Sequence, residues 1–198
     1  MNYPIDNISG VILAGGQARR MNHQNKSLLK INNKSMIEHV IVAIQPQVGK
    51  LYLNINTDFN SFHQMNLSII TDDQSEKLGP LAGINAVLSR IDTDYLVTVP
   101  CDSPMITSDL VNRLFKSMKD NRPCIAHDGL RAQPLFSLIS KQSLHSLSEY
   151  IASGQRKAIT WFKNNQVKYV DFSDKQDSFI NANTPDDLQK LEEMYVAT

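Results

Sequence analysis

The sequence has few cysteines, and they lie far apart. Among its 198 residues only Cys101 and Cys124 are cysteines, and neither has a second cysteine or a histidine at the spacing of a metal site. The five histidines are scattered and form no pair at the spacing of a metalloprotease helix. The pattern therefore disfavours a zinc site and a disulfide framework, and we expect both thiols to stay reduced.

An excess of charge and a long apolar run are also absent. Twenty Lys and Arg residues balance twenty Asp and Glu residues, so the formal net charge is zero and no basic surface for nucleic acid or for an anionic membrane is predicted. The apolar run at residues 11–13 is far shorter than the roughly 20 residues that span a bilayer. These absences favour a cytoplasmic protein with a small ligand, and with no nucleic acid or membrane partner.

The chain does contain a regular series of short strand-like segments, rich in β-branched and aromatic residues. Its length fits one domain, which we expect to span residues 1–198. The predicted strands are residues 8–13, 51–55, 67–70, 95–99, 124–126, 135–139 and 167–172.

Segments with helical periodicity lie between these strands. The clearest carry their apolar residues at 36–44, 84–91 and 110–118, and a last helix follows the N-terminal signal Thr184-Pro185-Asp186-Asp187. We expect the helix over 110–118 to begin at Thr107 or Ser108. This alternation predicts an α/β fold, a three-layer sandwich with a mostly parallel central sheet. Such sheets bind ligands beyond the carboxyl ends of their strands.

A glycine-rich segment follows the first predicted strand. Gly15 and Gly16 leave backbone N–H groups unhindered, and Arg19, Arg20 and Lys26 add three cations, a composition that suits polyphosphate. The segment matches neither a Walker P-loop nor G-x-G-x-x-G, so a P-loop ATPase and a Rossmann dehydrogenase are disfavoured. The alternative is that the two glycines only turn the chain.

Asp102 stands directly after the fourth predicted strand, between Pro100 and Pro104. A Mg²⁺ ion takes one or two carboxylates together with phosphate oxygens and waters, so one aspartate here is sufficient as a metal ligand. The alternative is an Asx-turn ahead of the next helix, which the sequence Asp-Ser-Pro also favours.

Other polar or glycine-rich positions also follow predicted strands. Asn54 and Asp72 each end one strand, and His127-Asp128-Gly129 ends another. The stretch 79–83, which includes Gly83, predicts a turn into a helix whose N-terminal amides could face a base or a phosphate, or could simply connect strand to helix.

Taken in order, these pieces resemble the molybdenum cofactor guanylyltransferases, within the glycosyltransferase-A-like nucleotidyltransferases. The resemblance runs from about Ile8 to the last helix. Its motifs are Leu13-Ala14-Gly15-Gly16 with Arg19-Arg20-Met21 and Lys26, then Asn54, Asp72, residues 79–83, Pro100-Cys101-Asp102 and residues 181–185.

The resemblance implies a Rossmann-like nucleotidyltransferase fold and a reaction between GTP and molybdopterin. The terminal phosphate of molybdopterin would attack the α-phosphorus of GTP and release pyrophosphate, with Mg²⁺ required and Mn²⁺ able to replace it. The expected catalytic residues are Lys26, Arg20 and Asp102, with Asp102 also binding the metal. The expected nucleotide-binding residues are Leu13, Ala14, Gly15, Gly16, Lys26, Asn54, Asp72, Gly83 and Asp102.

The resemblance places the pterin in the C-terminal half of the chain. The candidates for contact with it are His127, Asp128, Arg156, Lys157, Asn181 and Asn183, although Arg156 and Lys157 could equally be solvated charges at the start of a helix. Proteins that deliver molybdopterin or mature molybdoenzymes are expected partners.

The chain departs from the family pattern at two positions of the glycine-rich segment, Asn22 and Asn25. Asn22 replaces a glycine, and asparagine tolerates left-handed backbone. Asn25 replaces an aspartate beside Lys26, which removes a possible charge partner. Three other functions are compatible with the residues: cytidylyl transfer to the same pterin, nucleotidyl transfer to a sugar phosphate, and binding of nucleotide or pterin without catalysis.

Overall fold

A computed structural model describes residues 3–15, 26–72, 79–182 and 184–196, without the side chains of Lys26, Pro185 and Val196. Within these residues the strands are β1 (Ile8–Leu13), β2 (Lys30–Ile31), β3 (Lys34–Ser35), β4 (Lys50–Asn54), β5 (Ser68–Ile70), β6 (Tyr95–Pro100), β7 (Cys124–His127), β8 (Ala132–Ser140) and β9 (Lys168–Asp171). The α-helices are α1 (Met36–Ile44), α2 (Phe59–Phe62), α3 (Pro80–Leu88), α4 (Leu110–Ser117), α5 (Leu144–Ala152), α6 (Ala158–Asn164) and α7 (Pro185–Val196).

All seven strands predicted from the sequence are found, with ends that differ by at most three residues. They form one seven-stranded sheet in the order β5-β4-β1-β6-β8-β7-β9, while β2 and β3 form a separate hairpin. The sheet is parallel except for β8, which runs antiparallel to both β6 and β7. The connection from β7 to β8 is too short for the crossover that a parallel pair needs, so β8 must reverse.

Helices cover both faces of the sheet, as predicted. Along β1, Ile8 and Ile12 pack on one side with α1 and α4, whereas Val11 and Leu13 pack on the other side with α3, α5 and α6. All four residues are at most 8% exposed. The sequence of a strand that is buried on both faces is a nearly continuous run of apolar residues. This pattern is why the sequence predicts β1.

The helix α4 begins later than expected. It starts at Leu110 with Asp109 as its N-cap residue, not at Thr107 or Ser108. The Thr107 hydroxyl donates to the Asp109 carboxylate at 2.7 Å instead of capping the helix, and the same carboxylate accepts from Arg113 one turn later at 2.6 Å. A local network of side chains therefore replaces the simple serine or threonine cap.

The last helix begins as predicted, with a reciprocal cap. The Thr184 N–H donates to the Asp187 carboxylate at 2.8 Å, and the Asp187 N–H donates to the Thr184 hydroxyl at 3.2 Å. Leu191 of α7 is fully buried beside Ile31 and Met36, so this helix packs on the small hairpin rather than on the main sheet.

The strand ends that carry the predicted polar residues lie at one edge of the sheet. Leu13 is in register with both Asn54 of β4 and Pro100 of β6, and Asn54 is in register with Ile70 of β5. The strand β7 is parallel to β9 and antiparallel to β8, so it also ends at this edge. No helix among the described residues is long and apolar enough to cross a membrane.

Candidate active site

The backbone after β1 is fixed between its two neighbouring strands. The Ala14 N–H donates to the Asn54 carbonyl at 2.9 Å, and the Cys101 N–H donates to the Leu13 carbonyl at 3.3 Å. The chain therefore leaves the sheet at Gly15 in a set direction. This holds the start of the glycine-rich segment against the ends of β4 and β6.

Asn54 lies buried between two glycines. Its side-chain amide donates to the Ile70 carbonyl at 2.9 Å, and the residue is 3% exposed. A Cβ added to Gly83 would lie 2.1 Å from Asn54 Oδ1, and one added to Gly15 would lie 3.4 Å from the same atom. Only a residue without a side chain fits at position 83, because the first turn of α3 approaches the end of β4 so closely.

Asp72 lies beyond β5 at the same edge, half-buried. Its N–H donates to Asn56 Oδ1 at 3.2 Å, and the Asn56 amide nitrogen lies 3.4 Å from the Cβ position of Gly15. Among the described residues the buried Asp72 Oδ1 atom has no hydrogen-bond partner. A buried polar atom without a partner costs roughly 1–3 kcal/mol, which a ligand N–H or O–H group would recover.

The N-terminus of α3 faces this edge, as the sequence predicted. Gly79 has a φ of 71°, a left-handed conformation that favours glycine, and Pro80 opens the helix. Because α3 follows β5 and packs against β1, β4 and β5, its first amides lie on the same side of the sheet as Asn54 and Asp72.

Asp102 follows β6 in a turn that the C-terminal segment covers. Its carbonyl accepts from the Ala182 N–H at 3.0 Å, and the hydroxyl of the next residue, Ser103, donates to Asn181 Oδ1 at 2.5 Å. Asp102 itself is half-buried, whereas Ser103 is fully buried. The predicted metal ligand thus lies between the end of β1, which is paired with β6, and the C-terminal residues 181 and 182.

A groove of about 670 Å³ lies on the other side of Asp102. It lies between the turn that joins β7 to β8 and the start of α7. Its lining includes Asp128 and Asn181, two of the residues predicted to contact a pterin, together with Arg131, Asp177 and Asp187. These two predicted residues, from different parts of the chain, therefore line one surface.

The carboxylate of Asp128 shapes the β7–β8 turn. It accepts from the Leu130 and Arg131 N–H groups at 2.8 and 2.7 Å and from the Gln133 amide at 2.7 Å. Burial would by itself raise the pKa of Asp128, but these hydrogen bonds hold it below its usual value. His127, at the end of β7, accepts from the Gly129 N–H through Nδ1 at 3.1 Å.

Arg156 lies away from this groove, beside α3. Its guanidinium donates to the Ile151 and Gln155 carbonyls at 2.7 and 2.9 Å, and its own carbonyl is 4.0 Å from the Cβ position of Gly79. Lys157 is exposed and occupies the N-cap position of α6. The pterin candidates thus divide between two regions of the edge.

Several predicted residues lie outside the described part of the chain. They are Gly16, Arg19, Arg20, Asn22, Asn25 and Asn183. Lys26 opens a short 3₁₀-helix, Lys26–Leu28, that packs against α1, and its side chain is not described. Among the described residues no three His, Cys, Asp or Glu side chains are grouped to hold a metal ion.

Comparison with known proteins shows the family to which this chain is similar. Residues 10–168 match the model of the MobA-like NTP transferase domain. A relative from Shewanella halifaxensis, named molybdenum cofactor guanylyltransferase, is 37% identical over 188 residues and covers 94% of each chain. A second from Vibrio cholerae, with the same name, is 42% identical over 184 residues, which is 92% of this chain and 90% of the relative.

The chain belongs to the molybdenum cofactor guanylyltransferase family. This guanylyltransferase family member is accordingly a nucleotidyltransferase. Its fold is that of molybdopterin-guanine dinucleotide biosynthesis protein A from Archaeoglobus fulgidus, with a TM-score of 0.79 at 23% identity over 96% of this chain and all of that one. The three-layer α/β fold predicted from the sequence is therefore confirmed.

Three residues at this edge of the guanylyltransferase are not predicted from the sequence. Asn56 connects Asp72 to the region of Gly15, and a second polar residue just past β4 could have indicated it. Ser103 and Tyr195 contact the C-terminal segment and the Asp102 turn, respectively. Their partners lie 78 and 91 residues away in sequence, so no local pattern predicts those contacts.

Proposed function

We propose that the protein transfers GMP from GTP to the terminal phosphate of molybdopterin, forming the guanine dinucleotide form of the molybdenum cofactor. The observation that carries this proposal is the meeting of four strand ends at one edge of the sheet, with Ala14, Asn54, Asp72 and Asp102 on them. In a chain of this family, that edge would provide both the nucleotide site and a carboxylate for the metal.

The donor nucleotide would occupy the side of the edge formed by β1, β4 and β5. Leu13, Ala14 and Gly15 would contact it through backbone, and Gly83 would let α3 come close. The Asp72 Oδ1 atom, which has no hydrogen-bond partner among the described residues, fits this role, because guanosine carries several N–H and O–H donors. Gly16, Arg20 and Lys26 would surround the triphosphate, whose negative charge requires cations.

The residues at the edge also fit one Mg²⁺ ion. Asp102 supplies a hard oxygen ligand at the end of β6, and Mg²⁺ characteristically adds substrate phosphate oxygens and waters to one or two carboxylates. When bound, the metal would neutralise charge on the phosphate oxygens. Mn²⁺, with the same preference for oxygen ligands, would replace it.

The transfer needs no protein nucleophile. An oxygen of the molybdopterin phosphate forms a bond to the α-phosphorus of GTP, and the bond from that phosphorus to the bridging α–β oxygen breaks. Pyrophosphate leaves with the bonding electron pair. Charge accumulates on the phosphate oxygens, so Lys26 and Arg20 would act by electrostatic stabilisation and positioning.

The acceptor would lie on the other side of Asp102, in the groove between the β7–β8 turn and α7. Asn181, which lines this groove, is our candidate for direct contact there, and Asn183 follows in the same segment. His127, directly before Asp128, would contact the acceptor beside the groove. Asp128 would act mainly by shaping the groove, since its carboxylate already accepts hydrogen bonds from the turn. Arg156, beside α3, would reach only an acceptor that extends towards the nucleotide.

The decisive experiment measures pyrophosphate release by purified protein with GTP, Mg²⁺ and molybdopterin. We expect release that requires all three, and a loss of at least about 100-fold in kcat for Asp102→Asn and Lys26→Ala. Asp171→Asn is a matched control, because Asp171 also ends a strand at this edge but is exposed and accepts from the Ser173 N–H. Turnover at the wild-type rate in Asp102→Asn would refute the metal assignment.

The choice of base has its own test. Ligands that bind only the folded state raise its melting temperature according to their affinity. We expect GTP to give a larger shift than CTP, ATP or UTP, and Asp72→Asn to reduce the shift with GTP. A larger shift with CTP would instead support cytidylyl transfer, and GTP binding without pyrophosphate release would support a binding module.

A further inference from the structure

Three consecutive residues of the Asp102 turn are each bonded to the C-terminal segment. The Asp102 carbonyl accepts from the Ala182 N–H at 3.0 Å, and Ser103 Oγ donates to Asn181 Oδ1 at 2.5 Å. The Pro104 carbonyl accepts from the Tyr195 hydroxyl at 2.7 Å. The C-terminal segment, described at residues 181–182 and 184–196, is therefore in contact with every position of the turn from 102 to 104.

Little water reaches this contact. Ser103 and Ala182 are fully buried, and Tyr195 is half-buried. Hydrogen bonds shielded from water are costly to lose, because the group left behind stays desolvated without a partner. Burial also raises the pKa of Tyr195, so its hydroxyl remains a donor throughout the working pH range.

The C-terminal segment is itself anchored independently of the turn. Leu191 of α7 is buried against Ile31 and Met36, and the Tyr195 ring lies 4.6 Å from the ring of His39 on α1. The reciprocal Thr184–Asp187 cap fixes the start of the helix. The turn is thus bonded to a C-terminal segment that itself packs on α1 and on the β2–β3 hairpin.

We propose that Ser103 and Tyr195 are positioning residues, which act through the turn 102–104 to set the direction of the Asp102 carboxylate towards the metal. This inference rests on the proposed function, in which Asp102 binds Mg²⁺. The predicted site has one metal carboxylate, so a shift of the turn has no second protein ligand to compensate for it. Groups that orient a metal ligand through hydrogen bonds typically affect metal affinity or activity by roughly 10–100-fold.

Asn181 gives this contact a second consequence. It accepts from Ser103 and also lines the groove where we place the acceptor. The same side chain therefore touches both the metal turn and the acceptor surface. Loss of the Ser103 hydroxyl should therefore raise the Mg²⁺ requirement strongly and weaken acceptor binding to a smaller degree.

The test uses Ser103→Ala and Tyr195→Phe, each of which removes one hydroxyl. The measured quantities are the Mg²⁺ concentration for half-maximal rate, kcat with GTP and molybdopterin, and GTP affinity in the presence of EDTA. We expect the Mg²⁺ requirement to rise roughly tenfold in each variant, kcat at low Mg²⁺ to fall, and metal-free GTP affinity to stay within twofold of wild type.

Two variants control for the loss of a buried hydroxyl elsewhere. Tyr3→Phe removes a hydroxyl that donates to the Gln47 carbonyl at 2.9 Å, and Ser140→Ala removes one that accepts from the Gln142 N–H at 3.3 Å. Ser140 is paired with Tyr95, at the edge of the sheet opposite to Asp102. Both controls should lower the melting temperature without changing the Mg²⁺ requirement.

The outcomes separate this inference from the proposed function. If Asp102→Asn is inactive while Ser103→Ala and Tyr195→Phe keep the wild-type Mg²⁺ requirement, the positioning role is wrong and the metal assignment stands. If Asp102→Asn is as active as wild type, the metal assignment fails and the inference fails with it. Equal changes in the Mg²⁺ requirement for the controls would show that general destabilisation is the cause, and would also overturn the inference.

Discussion

The side chain of Asn54 fills the space between two backbones at the part of the edge proposed to bind the nucleotide. Its amide nitrogen donates to the Ile70 carbonyl, and its Oδ1 atom lies only 2.1 Å from the position that a Cβ of Gly83 would take. Because the residue is buried, it cannot move aside into solvent. The close approach of α3 to β4 therefore depends on this asparagine and on the absence of a side chain at position 83.

Gly83→Ala tests this packing. The added Cβ would lie 2.1 Å from Asn54 Oδ1, a distance that forces Asn54 or α3 to shift. We expect a loss of about 1–3 kcal/mol in the free energy of unfolding and a weaker thermal shift with GTP. Urea unfolding and melting curves with and without GTP measure both effects.

The double variant Asn54→Ala with Gly83→Ala separates the two effects. Removing the amide relieves the overlap, so stability should recover in part, whereas GTP binding should not. Wild-type GTP affinity in Gly83→Ala would contradict the assigned role of this contact.

Cys124 and Cys101 should differ in reactivity. Burial raises the pKa of the Cys124 thiol to about 12, an effect that the charge of Lys168 only partly opposes. At pH 8 about one molecule in 10⁴ then carries the thiolate, which is the reactive form. Iodoacetamide should leave Cys124 unmodified in the native protein and modify it after urea unfolding, as mass spectrometry would measure. Rapid modification of Cys124 in the native state would contradict this burial.

At the residue scale, the sequence predicts the site residues that directly follow a strand. Asn54, Asp72 and Asp102 were identified because polar residues at the ends of parallel strands share one edge. Asn181 was proposed only from the family resemblance. Its contact with Ser103 depends on the folding of segments 78 residues apart, which no local pattern encodes.

Among the elements, the β7–β8 hairpin differs most from the sequence expectation of successive parallel strands. The register between its strands shifts at Ile125 and Ala126, so that Ala126 pairs with Gln133. Residues 134–136 of β8 therefore bulge, and the Leu135 carbonyl accepts from the Thr98 hydroxyl of β6 at 2.8 Å. The short interval between the predicted strands 124–126 and 135–139 indicates that the second strand runs antiparallel to the first. The bulge has no sequence signature of its own.

The turn of this hairpin should depend on pH through Asp128. An unfolded aspartate titrates near pH 3.9, and the native pKa lies lower. The stabilisation from Asp128 is thus complete above about pH 4 and is lost as the pH falls through the native pKa. We expect Asp128→Asn to cost about 1–3 kcal/mol at pH 7, and progressively less as the pH falls below about 4.

Urea unfolding of both proteins at pH 7, pH 4 and pH 2 measures this difference. Asp120→Asn is the control, since Asp120 is exposed and its left-handed backbone, with φ of 52°, suits asparagine. A cost for Asp128→Asn that does not change with pH would show that the turn does not depend on the charged carboxylate.

Across the whole molecule, Asp102 lies between the two regions proposed for the nucleotide and the acceptor. The proposed nucleotide contacts end β1, β4 and β5, whereas His127 ends β7, which is separated from β1 by β6 and β8. At about 4.8 Å per strand spacing, β7 lies roughly 14 Å from β1. The two substrates can therefore occupy different parts of the edge and still bring their phosphates together near β6.

Because of this separation, we expect that a substitution can weaken the binding of molybdopterin without changing the binding of GTP. His127→Ala should leave the thermal shift with GTP unchanged and reduce turnover with molybdopterin by about tenfold or more, chiefly through KM for the acceptor. Calorimetric titration with GTP and steady-state kinetics measure the two effects. A reduced GTP affinity in this variant would indicate that the regions overlap.

The backbone pairing of β6 extends further on one side than on the other, so the two regions should differ in rigidity. Towards β1, β6 is paired up to Pro100, but towards β8 its pairing ends at Thr98. The sheet is therefore paired to its edge on the proposed nucleotide side of β6, whereas pairing ends two residues earlier on the proposed acceptor side. Backbone amides near the bulge of β8 should exchange with solvent faster than those of β1, so that the enzyme would meet its nucleotide with a rigid surface and its acceptor with a compliant one.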